Sequence, residues 1–172
     1  WNGIPVRIGP VSFFLTVYPP LVLCTLAVMW FGFPWAFTAA YLATVVGALV
    51  SGMPLGWCLL FGFADPLGLA VYAAAYRVAP IRVDLRSPGS LVWFLAVSFV
   101  GALAGSSGSF IWSHTHALSD LATFAVWEGW WVGGFLQAAL LAAPVLMALT
   151  PAVERAKERH LELPSRSWLS LP

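Results

Sequence analysis

Charged residues are scarce in this sequence, and they are unevenly placed. Asp, Glu, Lys and Arg make up only 9% of the 172 residues, whereas soluble domains carry about 25%. The longest stretches without any of them are residues 8–64, 87–119 and 129–153. Each stretch can hold the roughly 20 apolar residues with which a helix crosses a bilayer. The scarcity of charge therefore excludes an ordinary soluble domain and indicates a membrane protein in contact with the lipid bilayer.

Three further absences narrow the class of protein. With a net charge of +1, the chain lacks the concentrated basic face of a nucleic-acid-binding protein, so no nucleic-acid partner is expected. Cys24 and Cys58 lie in apolar segments without a CxxC spacing, which is typical of buried thiols and predicts neither a metal nor a cofactor. Because no P-loop, GxSxG or HExxH motif occurs and polar residues are few, the chain is predicted not to be an enzyme.

What the sequence does contain is long runs rich in Leu, Ala, Val and Gly, and 60% of its residues are hydrophobic. In lipid only helices and closed barrels satisfy the backbone, and these runs lack the alternation of barrel strands. The predicted fold class is all-α, a polytopic integral membrane helical bundle with about five to six transmembrane helices. Helical runs are expected at residues 20–32, 34–51, 54–78, 90–110 and 119–150.

These runs divide the chain into three parts. Residues 1–18 are predicted to be an outer segment, irregular or partly extended, with the alternative that its VSFFLTVY core is helical. Residues 19–150 form the predicted bundle, and the Pro19-Pro20 pair either begins its first helix or kinks a longer one. Residues 151–172 are predicted to be a cytoplasmic linker helix and tail that lead towards an output domain.

Arginine and lysine set the predicted orientation, since cytoplasmic loops carry an excess of both. One basic cluster follows the third helical run and another follows the last; two spans separate them, so both are predicted to be cytoplasmic. The clusters are Arg77, Arg82 and Arg86, and Arg155, Lys157 and Arg159. The loop SSGSFIWSHTHALSD then lies outside. Its His114, His116 and Asp120 are a weak metal signal, because structural zinc sites usually show four ligands.

The segment AVERAKERHLELP, which follows the last run, is strongly charged. It pairs Glu154 with Glu158 and Arg155 with Arg159 at helical spacing. A helix that leaves the membrane in this way commonly continues into another domain, so these four residues are predicted to relay a signal. The alternative is a solvated helix end whose long side chains reach into water.

Two acidic residues lie within the apolar runs, where ionisable groups are functional hypotheses by default. Asp65 is near the middle of its run beside Pro66, and a lone charge at such a depth costs about 2.5–3.5 kcal/mol. Glu128 is nearer the outer end of the last span. The functional interpretation is that both acids line a polar cavity that binds a ligand, a cation or a proton. The alternative is an interhelical hydrogen bond that holds the bundle together.

Tryptophans cluster at the start of the last span. Trp127, Trp130 and Trp131 stand at i, i+3 and i+4 and so share one helical face. That face is predicted either to belong to an aromatic belt at the membrane interface or to serve in packing, or to form a pocket wall that caps an apolar pocket or holds a cation. Gly101 and Gly105 have GxxxG spacing, which predicts a close contact between helices.

Three segments carry a resemblance to a known family. VYPPLVLCTLAVMWFGFPWAFTAAYLATVVGALVSG resembles a Pro-Pro helix, tight turn and second helix; LLFGFADPLGLAVYAAAYR resembles the next helix, and WEGWWVGGFLQAALLAAPVL resembles the last one. In this order they are similar to the bacterial membrane-associated sensor domains (MASE family, first type), over about Val17 to Thr150. The positions that match the family pattern are Pro19, Pro20, Trp130, Trp131, Gly133 and Pro144.

The resemblance implies an input module of bacterial inner-membrane signalling proteins. Members precede histidine kinases, diguanylate cyclases, cyclic-di-GMP phosphodiesterases or phosphatases, and because such output domains commonly act as pairs, a homodimer is an expected assembly. The family's aspartate after Gly133 is Gly134 here, and its next glycine is Gln137. The family's Asn-Glu pair in the middle helix is also altered, with Asp65 the only acid nearby. If those positions form the family's sensing site, this chain has lost the site or retuned it through Asp65, Glu128 and Gln137.

The function expected from these patterns is that of a transmembrane sensory domain. It would detect a small-molecule ligand or a membrane state and relay it through the last helix to a cytoplasmic output domain. Two alternatives remain. One is a substrate-binding subunit of a small-molecule importer, which would have a short tail and an associated ATPase. The other is a scaffold in which every polar group only joins helices.

Overall fold

The fold is a bundle of helices preceded by a short hairpin. The structure, a computed structural model, describes residues 4–8, 11–15, 18–79 and 82–160, the first two ranges and residue 160 by their backbone. The helices are α1 Pro19–Phe31, α2 Phe33–Val50, α3 Leu55–Phe61, α4 Ala64–Val78, α5 Pro88–Gly105, α6 Gly108–Thr115, α7 Asp120–Gln137, a π-helical segment Ala138–Ala142, and α8 Ala143–His160. Every run that the sequence predicts to be helical is mostly helical in the structure, and two of the runs are interrupted by short turns.

Within the described part of the chain, four helical stretches are long and apolar enough to cross a membrane, judged by length and composition. They are Phe33–Val50, Leu55–Val78, Pro88–Thr115 and Asp120–Arg159. Large apolar side chains such as Val92 and Leu140 are exposed on the outside of the bundle, where lipid would cover them. The predicted helical bundle, with several apolar helices that could span a membrane, is therefore confirmed. The count by length is four, below the expected five to six, because α1 has only 13 residues.

The segment before the bundle is extended. Strand β1, Ile4–Ile8, pairs antiparallel with strand β2, Val11–Leu15, and β2 lies alongside α7. The alternative of a helix over VSFFL is therefore wrong. The Pro19-Pro20 pair begins α1 and does not kink a longer helix. Proline suits this position because the first N–H groups of a helix have no acceptor within the helix, so that a missing N–H costs no hydrogen bond. Most of the remaining predicted outer segment, and the tail from residue 161 onward, lie outside the described residues.

Two of the long stretches are broken by short turns. Gly62 and Phe63 separate α3 from α4, and Ser106 and Ser107 separate α5 from α6. A Cβ atom on Gly62 would lie 2.6 Å from the side chain of Val45, so this turn requires glycine. Each break therefore divides one membrane-crossing stretch into two shorter helices.

The loop predicted over residues 106–120 is mostly helical, which corrects the interpretation from sequence. After the break the helix resumes as α6, in which Trp112 packs against Phe61 of α3 with ring centroids 6.0 Å apart. Packing of this aromatic pair outweighs the Ser- and Gly-rich composition that suggested a loop. His114 therefore lies in the last turn of α6 and His116 directly after it. No group of three or more metal-ligating side chains occurs in the part of the chain that the structure describes.

Glycines bring α4 and α5 into direct backbone contact. A Cβ atom on Gly68 would lie 2.8 Å from the carbonyl oxygen of Gly101, and a Cβ atom on Gly101 would lie 2.9 Å from the ring of Tyr72. The close contact that the GxxxG spacing predicts is present, and Gly68 forms its other side.

An ion pair shapes the turn between α4 and α5. The Arg82 guanidinium donates hydrogen bonds to Asp84, with Nη2 2.5 Å from Oδ2. Asp84 also accepts a hydrogen bond from the backbone N–H of Arg86. The hydrogen bonds from Arg82 hold the pKa of the Asp84 carboxyl below its usual range, so the pair persists until the solution is strongly acidic. Two arginines of the predicted cytoplasmic cluster thus lie in one ordered turn.

Substituting Gly68 with Ala is expected to destabilise the bundle, because the added Cβ meets backbone of α5 that cannot move aside alone. Overpacking of this kind costs about 1–3 kcal/mol. The matched control is Gly56→Ala in α3, where a Cβ meets nothing within 4 Å and the change should stay within about 0.5 kcal/mol. Denaturant unfolding in detergent micelles measures both, and equal stability of the two variants would contradict the close contact.

Candidate functional site

A cavity of about 100 Å³ lies inside the bundle. It is bordered on one side by the apolar cluster that contains Leu69 and Tyr72, and on the other by the cluster that contains Ala48 and Phe61. A single water molecule needs about 10–15 Å³ of such a volume, so the cavity has room for several waters or a small molecule. Its polar lining residues are Tyr18, Thr25, Thr44, Asp65, Tyr72, Ser98, Ser106 and Gln137.

Asp65 reaches this cavity because α4 begins just before it. The break at Gly62 and Phe63 places Asp65 and Pro66 in the first turn of α4, where backbone N–H groups have no helical partner. Proline is tolerated at such a position, and the positive end of the helix dipole favours a carboxylate there. The partner that the sequence required but did not identify is Thr44 of α2, whose Oγ1 lies 2.7 Å from Asp65 Oδ2.

The four Ser and Thr hydroxyls of the cavity are all hydrogen-bonded within their own helices. Each has its proton within hydrogen-bond distance of the backbone carbonyl three or four residues earlier, and the single proton of Thr44 is shared between that carbonyl and Asp65 Oδ2. The pairs are Thr25 to Leu21 at 2.8 Å, Thr44 to Ala40 at 2.9 Å, Ser98 to Phe94 at 2.7 Å and Ser106 to Leu103 at 2.8 Å. These bonds hold the oxygen atoms in place at the cavity wall.

The last helical stretch contributes Gln137 and Trp130. Gln137 is buried; its Oε1 accepts a hydrogen bond from the backbone N–H of Tyr18 at 2.8 Å, and its Nε2 donates to the carbonyl of Gly133 at 3.1 Å. The π-helical segment follows Gln137 directly, and such segments occur frequently at functional sites. Gln137, which lines the cavity, is therefore the residue directly before the π-helical segment.

The structure brings together three of the six residues predicted to bind a ligand. Asp65, Trp130 and Gln137 line the cavity, whereas the described lining residues do not include Glu128, Trp127 or Trp131. Among the tryptophans, the ring of Trp130 packs 5.9 Å from that of Phe61. The predicted single face of tryptophans is therefore divided between two surroundings.

Trp127 and Trp131 belong to a separate aromatic group. Their ring centroids lie 6.2 Å apart, and Trp131 meets Phe99 of α5 edge-on at 5.7 Å. Positions i, i+3 and i+4 span a wide arc of a helix, so one of the three can point into the bundle while the others pack elsewhere. Thr44, Ser98 and Tyr72 of the cavity were not predicted, although each is a hydroxyl within an apolar run, which is a signal that could have found them.

The charged end of α8 is attached to α1 by a buried lysine. Lys157 is 2% exposed; its Nζ donates to the backbone carbonyl of Trp30 and to Oε1 of Glu154, both at 2.9 Å. In addition, Trp30 Nε1 donates to the hydroxyl of Thr150 at 3.0 Å. A lysine that binds the last carbonyls of a helix also meets the negative end of its dipole. The attachment point is thus Lys157, which the sequence analysis identified only as a member of a basic cluster.

The four residues predicted to relay a signal differ in their surroundings. Glu154 takes part in the attachment through Lys157. Arg155, Glu158 and Arg159 are exposed, and the two arginines donate to carbonyls of their own helix, Arg155 Nε to Pro151 and Arg159 Nε to Arg155. The helical spacing that the sequence predicts is present, with Pro151 inside α8.

In comparisons with known proteins, the chain matches no protein-family model, no curated protein and no solved structure. The class that fold and site define is a helical bundle with apolar helices long enough to cross a membrane and a cavity lined by one acid. Its function is therefore inferred from this cavity and from the helix that connects the cavity to the charged end of the chain.

Replacing Lys157 with Met, which keeps a similar length without a donor, is expected to loosen the end of α8. The carbonyl of Trp30 and the carboxylate of Glu154 would lose their shared partner, at a cost of about 1.5–3 kcal/mol for hydrogen bonds to a charged group. Arg155→Met on the exposed face is the control and should change stability by less than about 0.5 kcal/mol. Hydrogen exchange of the α8 amides after Pro151, together with unfolding in detergent, measures the difference. Equal exchange in both variants would rule out the attachment.

Proposed function

We propose that the chain is a transmembrane sensory domain of a bacterial signalling protein. A ligand in the cavity biases the position of the last helical stretch, which carries the change to a cytoplasmic output domain. The observation that supports this most is the continuity of α7, the π-helical segment and α8 from Asp120 to His160. One part of that stretch forms a cavity wall and a later part is the charged, attached end.

The distance over which such a signal would travel follows from helix geometry. Gln137 at the cavity and Lys157 at the attachment are 20 residues apart, since 157 − 137 = 20, and at 1.5 Å per residue that is about 30 Å. A ligand shifts the balance between two helix arrangements only by as much as it prefers one of them. The π-helical segment between the two points is a local irregularity at which two arrangements of the stretch can differ.

The proposed topology has five crossings, with the short α1 counted as one. The C-terminus and the Arg82 turn are then cytoplasmic, because basic residues gather on that side, and the hairpin faces outward. The protein would reside in the bacterial inner membrane. The resemblance to the MASE family supports the same assignment, including a kinase, cyclase, phosphodiesterase or phosphatase as the output domain and a homodimer as the assembly.

The cavity also fits a substrate-binding subunit of an importer, which is the second candidate. A concave, largely apolar space with a few polar groups is the usual form of a small-molecule site. The extension of α8 to His160, with its buried attachment to α1, favours the sensor, because a transport subunit has no evident use for a long charged helix after its last span. In the third interpretation, a scaffold, the cavity would bind nothing.

In a fusion of the chain to a diguanylate cyclase after Pro172, Asp65→Asn is expected to change cyclase output. A coupling free energy of about 1–3 kcal/mol between cavity and output corresponds to a change of about 5- to 150-fold. Glu128→Gln, which alters an acid that does not line the cavity, should leave output within about twofold. Cyclic-di-GMP is measured in membranes at matched protein levels. If Asp65→Asn changes neither the basal cyclase output nor the change in output on adding a ligand, the role of the cavity is refuted.

A further inference from the structure

The Ser and Thr hydroxyls of the cavity have their protons engaged, so that their oxygen atoms can act as hydrogen-bond acceptors. A Ser or Thr hydroxyl has a single proton, and Thr25, Thr44, Ser98 and Ser106 each place that proton within hydrogen-bond distance of a carbonyl of their own helix. Thr44 has a second acceptor, Asp65 Oδ2, but still only one proton. The phenol of Tyr18 is hydrogen-bonded with Thr44, and that of Tyr72 with Thr25 and Ser98. Each hydroxyl oxygen has a second lone pair that a guest can use, and Asp65 offers a carboxylate.

The charge of the residues that line the cavity also favours a guest that donates hydrogen bonds and carries a positive charge. Asp65 is its acid, and no Lys, Arg or His is found among the described residues that line it. The salt bridges of the described residues, Arg82 with Asp84 and Lys157 with Glu154, involve other acids. A carboxylate at this depth is stabilised by a cation, and an anionic guest would be repelled.

The rest of the wall selects among cations. Phe61, Tyr72 and Trp130 border the cavity, and much of the remaining surface is aliphatic. Ca²⁺ and Mg²⁺ take six or more oxygen ligands, whereas most of the surface of this cavity is apolar. An alkylammonium ion carries several N–H donors for oxygen acceptors and a small apolar part, and aromatic faces attract its charge.

We propose that the cavity binds a small primary alkylammonium ion, with the Asp65 carboxylate as its counter-ion and the wall hydroxyls as acceptors for its N–H groups. This proposal rests on the proposed function in one respect only, namely that the bound ion is the signal the sensory domain detects. Binding itself is a separate property of the cavity. A volume of about 100 Å³ favours amines with short carbon chains.

The test uses the full chain purified into lipid nanodiscs. Methyl-, ethyl- and propylammonium chloride are titrated at constant ionic strength, and binding is followed by calorimetry and by the thermal midpoint. Sodium chloride and potassium chloride test inorganic cations, and 1-propanol tests a neutral molecule of similar shape. The expected result is a saturable rise of the midpoint with at least one alkylammonium ion, and no comparable rise with the other three.

Two variants test the contacts. Asp65→Asn keeps the shape but removes the charge, and it should weaken binding about 10- to 100-fold. Thr44→Val removes one acceptor at nearly constant volume and should weaken binding about 2- to 10-fold; it also serves if Asp65→Asn fails to fold. Glu128→Gln, with an acid off the cavity, should bind as the unmodified chain does.

Three results would overturn the proposal: no saturable binding of any alkylammonium ion, equal stabilisation by sodium, potassium or 1-propanol, or undiminished binding in both Asp65→Asn and Thr44→Val. Failure of the sensory function would look different. Alkylammonium binding that depends on Asp65 but leaves the output of the fused cyclase unchanged would support the cation site and reject the sensor.

Discussion

The structure depends on how one carboxylate is accommodated within an apolar bundle. A lone charge at such a depth costs about 2.5–3.5 kcal/mol, and several features reduce that cost at Asp65. The break at Gly62 makes Asp65 part of a helix start, Thr44 provides a hydroxyl at 2.7 Å, and further hydroxyl groups line the cavity beside it. An uninterrupted helix from residue 55 to 78 would provide neither the helix start nor the turn.

The second helix break belongs to the same arrangement. Ser106 and Ser107 interrupt α5–α6 beside the start of α4: a Cβ on Gly105 would lie 3.5 Å from the carbonyl of Ala64. Because both long stretches bend at this level, the apolar core separates into two clusters and the cavity remains between them. The close contact of Gly68 with Gly101 lies one turn further along and fixes the two helices relative to each other.

The helices and the depth of Asp65 could be predicted from sequence because their signals are local: charge-free runs, Pro19-Pro20 and a single acid in an apolar segment. The partner of that acid could not, since Thr44 is 21 residues away and meets it only through the packing of α2 on α4. The inward direction of Trp130 likewise depends on the neighbours of α7. Composition also misled: residues 106–120 read as a loop, but aromatic packing makes most of them helical.

The connection between α1 and the last stretch shows how cavity and charged end can be linked mechanically. The start of α1 is tied to Gln137 through the N–H of Tyr18, and its end is tied to Thr150 and Lys157 through Trp30. A movement that carries Gln137 away from the cavity must therefore break the first bond or take α1 along. If α1 follows, Lys157 keeps its buried partner and the two helices shift as one unit. If α1 does not follow, the displacement of the last stretch is confined to the π-helical segment, and the charged end keeps its position against α1.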